Sequence, residues 1–165
     1  MQQGHEGGGG MSREMMRHHY LMLGLNLLLS LIIMYLAMFA MIWSLGEFVQ
    51  NINFFYMALV MWAPMAIVMM LTMKSMFMNT KINMILYAAF GSILVLSLWG
   101  IRAQGLVDDR RFVESMIPHH SGALTMCNRA SLRDAEVRDL CFKQNGIVES
   151  QTREIKQMQG ILKRL

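Results

Sequence analysis

The chain has 165 residues, of which 55% are hydrophobic, only 16% are charged and 20 are methionine. That balance is too apolar for an ordinary water-soluble domain and points to a membrane class. The formal charge of +4 comes from scattered basic residues with no long Lys/Arg run, which argues against nucleic acid as a partner.

In chain order, residues 1–20 read as a tail. MQQGHEGGGG can bury nothing and is expected to be disordered, and Met11 reads as an alternative start. A short polar lead follows, containing MMRHHY (15–20). Its His18 and His19 read either as a small metal site or as residues that simply flank the membrane.

Residues 21–106 form the expected membrane domain. Three uncharged apolar runs, 21–43, 54–73 and 83–101, each meet the roughly 20 residues a membrane-spanning helix needs. The first is too long for the apolar part of a signal peptide and has no convincing cleavage site after it, so it reads as an uncleaved span. Asn26 and Ser30 within it are expected to bond to a neighbouring helix, and Gly91 and Ser92 in the third run to let another helix approach closely. Pro64 should kink the second span, because it removes a backbone donor. Met57, Met61, Met65, Met69 and Met73 recur every four residues. That step drifts round a helix of about 3.6 residues per turn, so they read as adaptable packing residues rather than a metal track.

Arg13 and Arg17 before the first span, and Lys74 and Lys81 around the second link, mark the cytoplasmic side under the positive-inside rule. The other link, 44–53, carries Glu47 and no basic residue. Arg102, Arg110 and Arg111 run against the rule. The resulting reading puts the N-terminus in the cytoplasm and the C-terminal part outside.

Residues 107–165 change character to charged, amphipathic helical spacing. One helix is predicted over 109–129 and another over 134–163, with the turn marked by Asn128, Ser131 and Asp134. The second carries a 4-3 seam of Val137, Cys141, Gln144, Val148, Gln151, Ile155, Met158, Leu162 and Leu165. The first gives Val113, Met116, His120, Ala123, Cys127 and Ala130 by the same rule. A polar group buried on such a seam without a partner costs about 1–3 kcal/mol, so His120, Gln144 and Gln151 need a reason. A two-helix hairpin of this size cannot enclose a core and needs a staple or a partner.

Cys127 and Cys141 have two readings. A disulfide would stabilise by ~3 kcal/mol in the chain-entropy account and needs an oxidising compartment. Alternatively, Cys127 is a thiolate ligand beside Met126. If the two cysteines pair, residue numbers at one height sum to about 268. Met116, His119 and His120 then face Gln151 and Glu154, with Met158 about a turn further on. Imidazole and thioether together are a soft ligand set that suits Cu(I). Zinc would take the histidines but not methionine, and a di-iron site wants Glu-x-x-His pairs that this segment lacks. Glu154 reads either as the acceptor for an imidazole N–H, fixing its tautomer, or as an ion-pair partner of Arg153 or Lys156. Nothing pairs a nucleophile with a base, so a non-enzymatic role is expected.

Two motifs carry a family resemblance. Met116, His119, His120, Ala123 and Met126 form Met-x-x-His-His-x-x-Ala-x-x-Met, and Gln151, Glu154, Ile155 and Met158 form Gln-x-x-Glu-Ile-x-x-Met. Over residues 109–162 the chain resembles the bacterial family catalogued as domain of unknown function 305. The resemblance implies a ferritin-like helical fold and similarity to periplasmic copper-binding proteins of the CopM type. Many members carry the motif twice and form four helices, whereas this chain carries it once.

The expectation is therefore an all-α protein, with three transmembrane helices followed by an antiparallel hairpin that is half of a ferritin-like bundle completed by dimerisation. Met116, His119, His120 and Met126 are the candidate copper ligands, with Gln151, Glu154 and Met158 completing or orienting the site. The expected function is that of a copper-binding protein anchored in a bacterial inner membrane, with its metal domain in the periplasm, acting in copper buffering, delivery or resistance. The expected partners are the metal ion, the lipid bilayer and a second copy of the chain. A reading from another class is a non-catalytic assembly subunit whose hairpin dimerises, its polar seam setting register.

Overall fold

Polar caps divide the chain into its helices. In a computed structural model, which describes residues 13–165, these are α1 (Arg13–Ala37), α2 (Ile52–Thr72), α3 (Thr80–Ala103), α4 (Asp109–Arg129), α5 (Ala135–Phe142) and α6 (Ile147–Leu162). A single 3₁₀ turn, Leu45–Glu47, lies between α1 and α2. Residues 1–12, including the expected disordered stretch and the alternative start at Met11, lie outside the described residues. Asn51, Asn79, Asp108 and Asp134 each accept a backbone N–H three residues on, which satisfies donors that a bare helix start leaves open. The described residues contain helices and turns and no strand.

Three helices, α1, α2 and α3, are long and apolar enough to cross a membrane. The central one is α2, packed between the other two. Three of its four buried positions are small, Ala58, Ala63 and Ala66, with Met70 the fourth, so neighbouring backbones can come close at the alanines, where lipid offers no hydrophobic drive. Leu23, Leu27, Met70, Phe77 and Phe90 fill the remaining core. Trp62 Nε1 donates to the Leu27 carbonyl at 2.7 Å and ties α1 to α2. The helix α2 continues through Pro64.

Two expectations about helix contacts are corrected. Ser30 bonds back to the Leu27 carbonyl of its own helix, and Asn26 is exposed. The close approach on α3 is at Gly100, where a Cβ would lie 3.1 Å from the Tyr56 ring, whereas a Cβ on Gly91 would meet nothing within 4 Å. Of the recurring methionines, Met65 and Met69 pack on the core, while Met57, Met61 and Met73 face outward.

The first apolar run, 21–43, extends past the end of its helix. It passes beyond Ala37 into a turn segment where Phe39 is buried among Tyr35, Phe48 and Phe54, its ring 4.2 Å from Phe48 and 5.0 Å from Phe54. Burial in this aromatic cluster demands the same residues as contact with lipid, so the sequence pattern does not separate them.

The C-terminal part is an antiparallel pairing of α4 with α6, closed by a disulfide between Cys127 and Cys141 whose Cα atoms are 5.6 Å apart. Its second arm is not one helix. It breaks after Phe142, Asn145 takes a left-handed φ of 60°, and Gly146 caps α6. A Cβ on Gly146 would sit 2.8 Å from the Lys143 carbonyl oxygen, so glycine is required there. The break cuts the 4-3 seam: Val137, Gln144 and Leu165 are exposed, and the packed residues run through Val148, Ile155, Met158 and Leu162. On α4 the buried residues are Val113, Ser115, Ile117, Pro118, Ser121, Leu124 and Cys127, while Ala130 is exposed. This face is wider than a single seam because α4 is covered on a second side by the link between α1 and α2.

Candidate functional site and its neighbours

His120 sits on the side of α4 that faces α6, its side chain 14% exposed, and its Nδ1 lies 3.0 Å from Glu154 Oε2. The oxygen is off the N–H direction, so Nδ1 is buried without a formed hydrogen bond. With Nδ1–H donated to that carboxylate, Nε2 would be the nitrogen left to take another ligand. Gln151 Nε2 donates to the same Glu154 oxygen at 3.4 Å. Glu154 thus faces His120, and no described ion pair joins it to Arg153 or Lys156.

The pairing is shifted from the register the disulfide sets. Residues 120 and 154 sum to 274, where 127 and 141 sum to 268. The break at 143–146 takes up the difference. On the shifted register Met116 falls level with Met158, one turn from His120 and Glu154 respectively. Met158 packs on the cluster of Val113, Ile117, Leu124 and Ile155.

His119 and Met126 lie elsewhere. Seven residues apart, they share a stripe turned about 100–120° from His120; His119 is exposed and Met126 is 60% exposed. The His119 and His120 rings are 6.1 Å apart, centre to centre. The structure therefore brings His120, Glu154 and Gln151 together, and leaves His119 and Met126 on an open flank. Among the described residues no group of three or more His, Cys, Asp or Glu side chains could hold an ion. A metal here would need thioether ligands besides imidazole, a set that fits a soft ion of low coordination number and does not fit zinc or a di-iron centre.

The other side of α4 carries a polar junction that the sequence reading missed. Glu47 is 8% exposed. It accepts from the Ser121 hydroxyl and, at 3.1 Å, from the Ser44 N–H, while the Trp43 N–H donates to Ser121 Oγ at 2.6 Å. The Arg129 guanidinium stacks 5.4 Å over the Trp43 ring, and Val49 packs on the hairpin core. The only signal for this was a lone acid in an otherwise uncharged link, matched to a serine one turn from Ile117.

Residues 98–162 match the family described as "Domain of unknown function (DUF305)". Over 123 residues the chain is 34% identical to "Uncharacterized protein L153" of Acanthamoeba polyphaga mimivirus, covering 72% of this chain and 76% of the viral protein. That alignment is longer than the hairpin, so it takes in part of the membrane region as well. No solved structure matches the chain. The chain belongs to the DUF305 family.

Proposed function

We propose that this protein is a non-enzymatic, membrane-anchored copper-binding protein that buffers or delivers Cu(I) or confers resistance to it. In this reading it sits in a bacterial inner membrane with its N-terminus in the cytoplasm and its hairpin in the periplasm. The observation that carries the reading is the largely buried His120 with a carboxylate 3.0 Å from its Nδ1, on a helix that also presents Met116, His119 and Met126. Glu154 orients the imidazole and Gln151 orients Glu154. His119 and Met126 supply ligands from the open flank, where an incoming ion arrives. The disulfide supports an oxidising compartment for the hairpin.

The test is a Cu(I) titration of the full chain in detergent under anaerobic conditions against a chromophoric competitor. The His119→Ala/His120→Ala variant should lose competition, and Glu154→Gln should weaken binding by about 10–100-fold, the usual effect of removing a group that orients a ligand. Wild-type protein that fails to compete would sink the copper reading.

One observation favours an assembly role instead. Val137, Leu140 and Phe142 are exposed apolar residues on α5, and a second copy could cover them. Under that reading a chelator leaves the oligomeric state unchanged, and substituting Leu140 and Phe142 by serine abolishes it.

A further inference from the structure

We infer that the end of the membrane bundle opposite the hairpin binds one anionic phospholipid, with its phosphate at Arg13 and Arg17 and an acyl chain in the groove between α1 and α3. The groove has a volume of about 610 Å³, within the range of small-molecule sites. Arg13 and Arg17 stand at one end of it, and Leu27, Ile82 and Leu86 line its apolar length.

Three observations give it a lipid's chemistry. First, the charge sits at the right depth. At about 1.5 Å per residue, the 25 residues of α1 reach about 37 Å, beyond a hydrocarbon core of about 30 Å. The first turn or so, with both arginines, therefore lies at head-group level while the groove runs into the apolar layer. Second, the cations are available: among the described residues neither arginine is held in an ion pair, and Glu14 does not line the groove. Lys74 and Lys81 add to the same end, and basic pockets between membrane helices are suited to anionic head groups. Third, the groove is preformed. The Tyr20 hydroxyl donates to Asn83 Oδ1 at 2.7 Å, Asn83 Nδ2 donates to the Phe77 carbonyl at 2.6 Å, and the His19 ring lies 3.2 Å from the Met76 carbonyl oxygen. These contacts fix α1 against the start of α3 at the mouth. Below it, Gly24 leaves open space, since a Cβ there would meet nothing within 4 Å.

The experiment is native mass spectrometry of the full chain released from detergent micelles, with phosphatidylglycerol or phosphatidylcholine of identical acyl chains added. The protein should retain one phosphatidylglycerol in preference to phosphatidylcholine. Each arginine near an anionic surface is worth about fivefold, so Arg13→Gln/Arg17→Gln should reduce the preference by about 25-fold. Gly24→Leu, which fills the groove and keeps both arginines, should weaken retention of both lipids. Equal retention of the two lipids by wild-type protein would overturn the proposal, and so would a preference that survives the arginine substitutions. Binding of glycerol 3-phosphate as tight as that of the lipid would also overturn it, by making the site one for free phosphate. The arginine variant alters only exposed side chains, so it decides the matter even if Gly24→Leu fails to fold.

Discussion

Two helices of this protein, α2 and α4, are covered in opposite ways. Along α2 three of the four buried positions are alanines, at 58, 63 and 66, with Met70 the fourth, and larger side chains such as Val68 and Leu71 face outward. Along α4 the bulk is inside, with Val113, Ile117 and Leu124 packed on Ile155, and charge outside. In lipid, burying apolar area against another helix gains little, and close backbone approach is what holds α2. In water the removed apolar area is the driving term, about 25 cal/mol per Å², and the hairpin has too little of it to stand without a staple.

Three measurements press on that contrast. The largest effect is expected from Cys127→Ser/Cys141→Ser. Opening a loop of this length should cost the hairpin about 3 kcal/mol, seen as earlier loss of α4–α6 amide protection in denaturant, with the membrane helices unmoved. Simultaneous loss in both regions would show that they unfold as one unit. Next, Ala63→Leu should destabilise the membrane bundle by about 1–3 kcal/mol through overpacking, although it adds apolar surface. A stabilised bundle would mean that α2 is held by area after all. The smallest effect belongs to the junction between the regions. Glu47→Gln trades a charged acceptor for a neutral one and should cost about 1 kcal/mol, read as amide exchange of Trp43 about fivefold faster. Unchanged exchange would show that the Ser121 contact holds without the charge.

The contrast also explains what could be read in advance. The three apolar runs, the bounds of α4 and the pairing of the cysteines follow from length, caps and spacing, all local quantities. The turn at 143–146 was signalled by Asn145-Gly146, a strong breaker pair. The 4-3 spacing continues across it, so the spacing alone reads as one helix through the turn. Of the candidate site, the meeting of His120 with Glu154 was legible because both motifs have helical spacing. The outward turn of His119 and Met126 was not, because it depends on which side of α4 is covered twice. That second cover, made by Val49 and Glu47 from a link some 70 residues earlier, is a long-range contact, and helical periodicity carries no trace of it.

The break before α6 has a consequence for how the hairpin tolerates change. Asn145 and Gly146 separate the alignment fixed by the cysteines from the alignment of His120 with Glu154, so the two registers are set apart by the turn. Lengthening the turn around Lys143 would break the close fit of Gly146 on the Lys143 carbonyl, whereas a residue inserted between His120 and Cys127 would rotate the imidazole off the carboxylate. The segment 143–146 therefore acts as a fixed step, which sets the cysteines and the His120–Glu154 pair in two different registers.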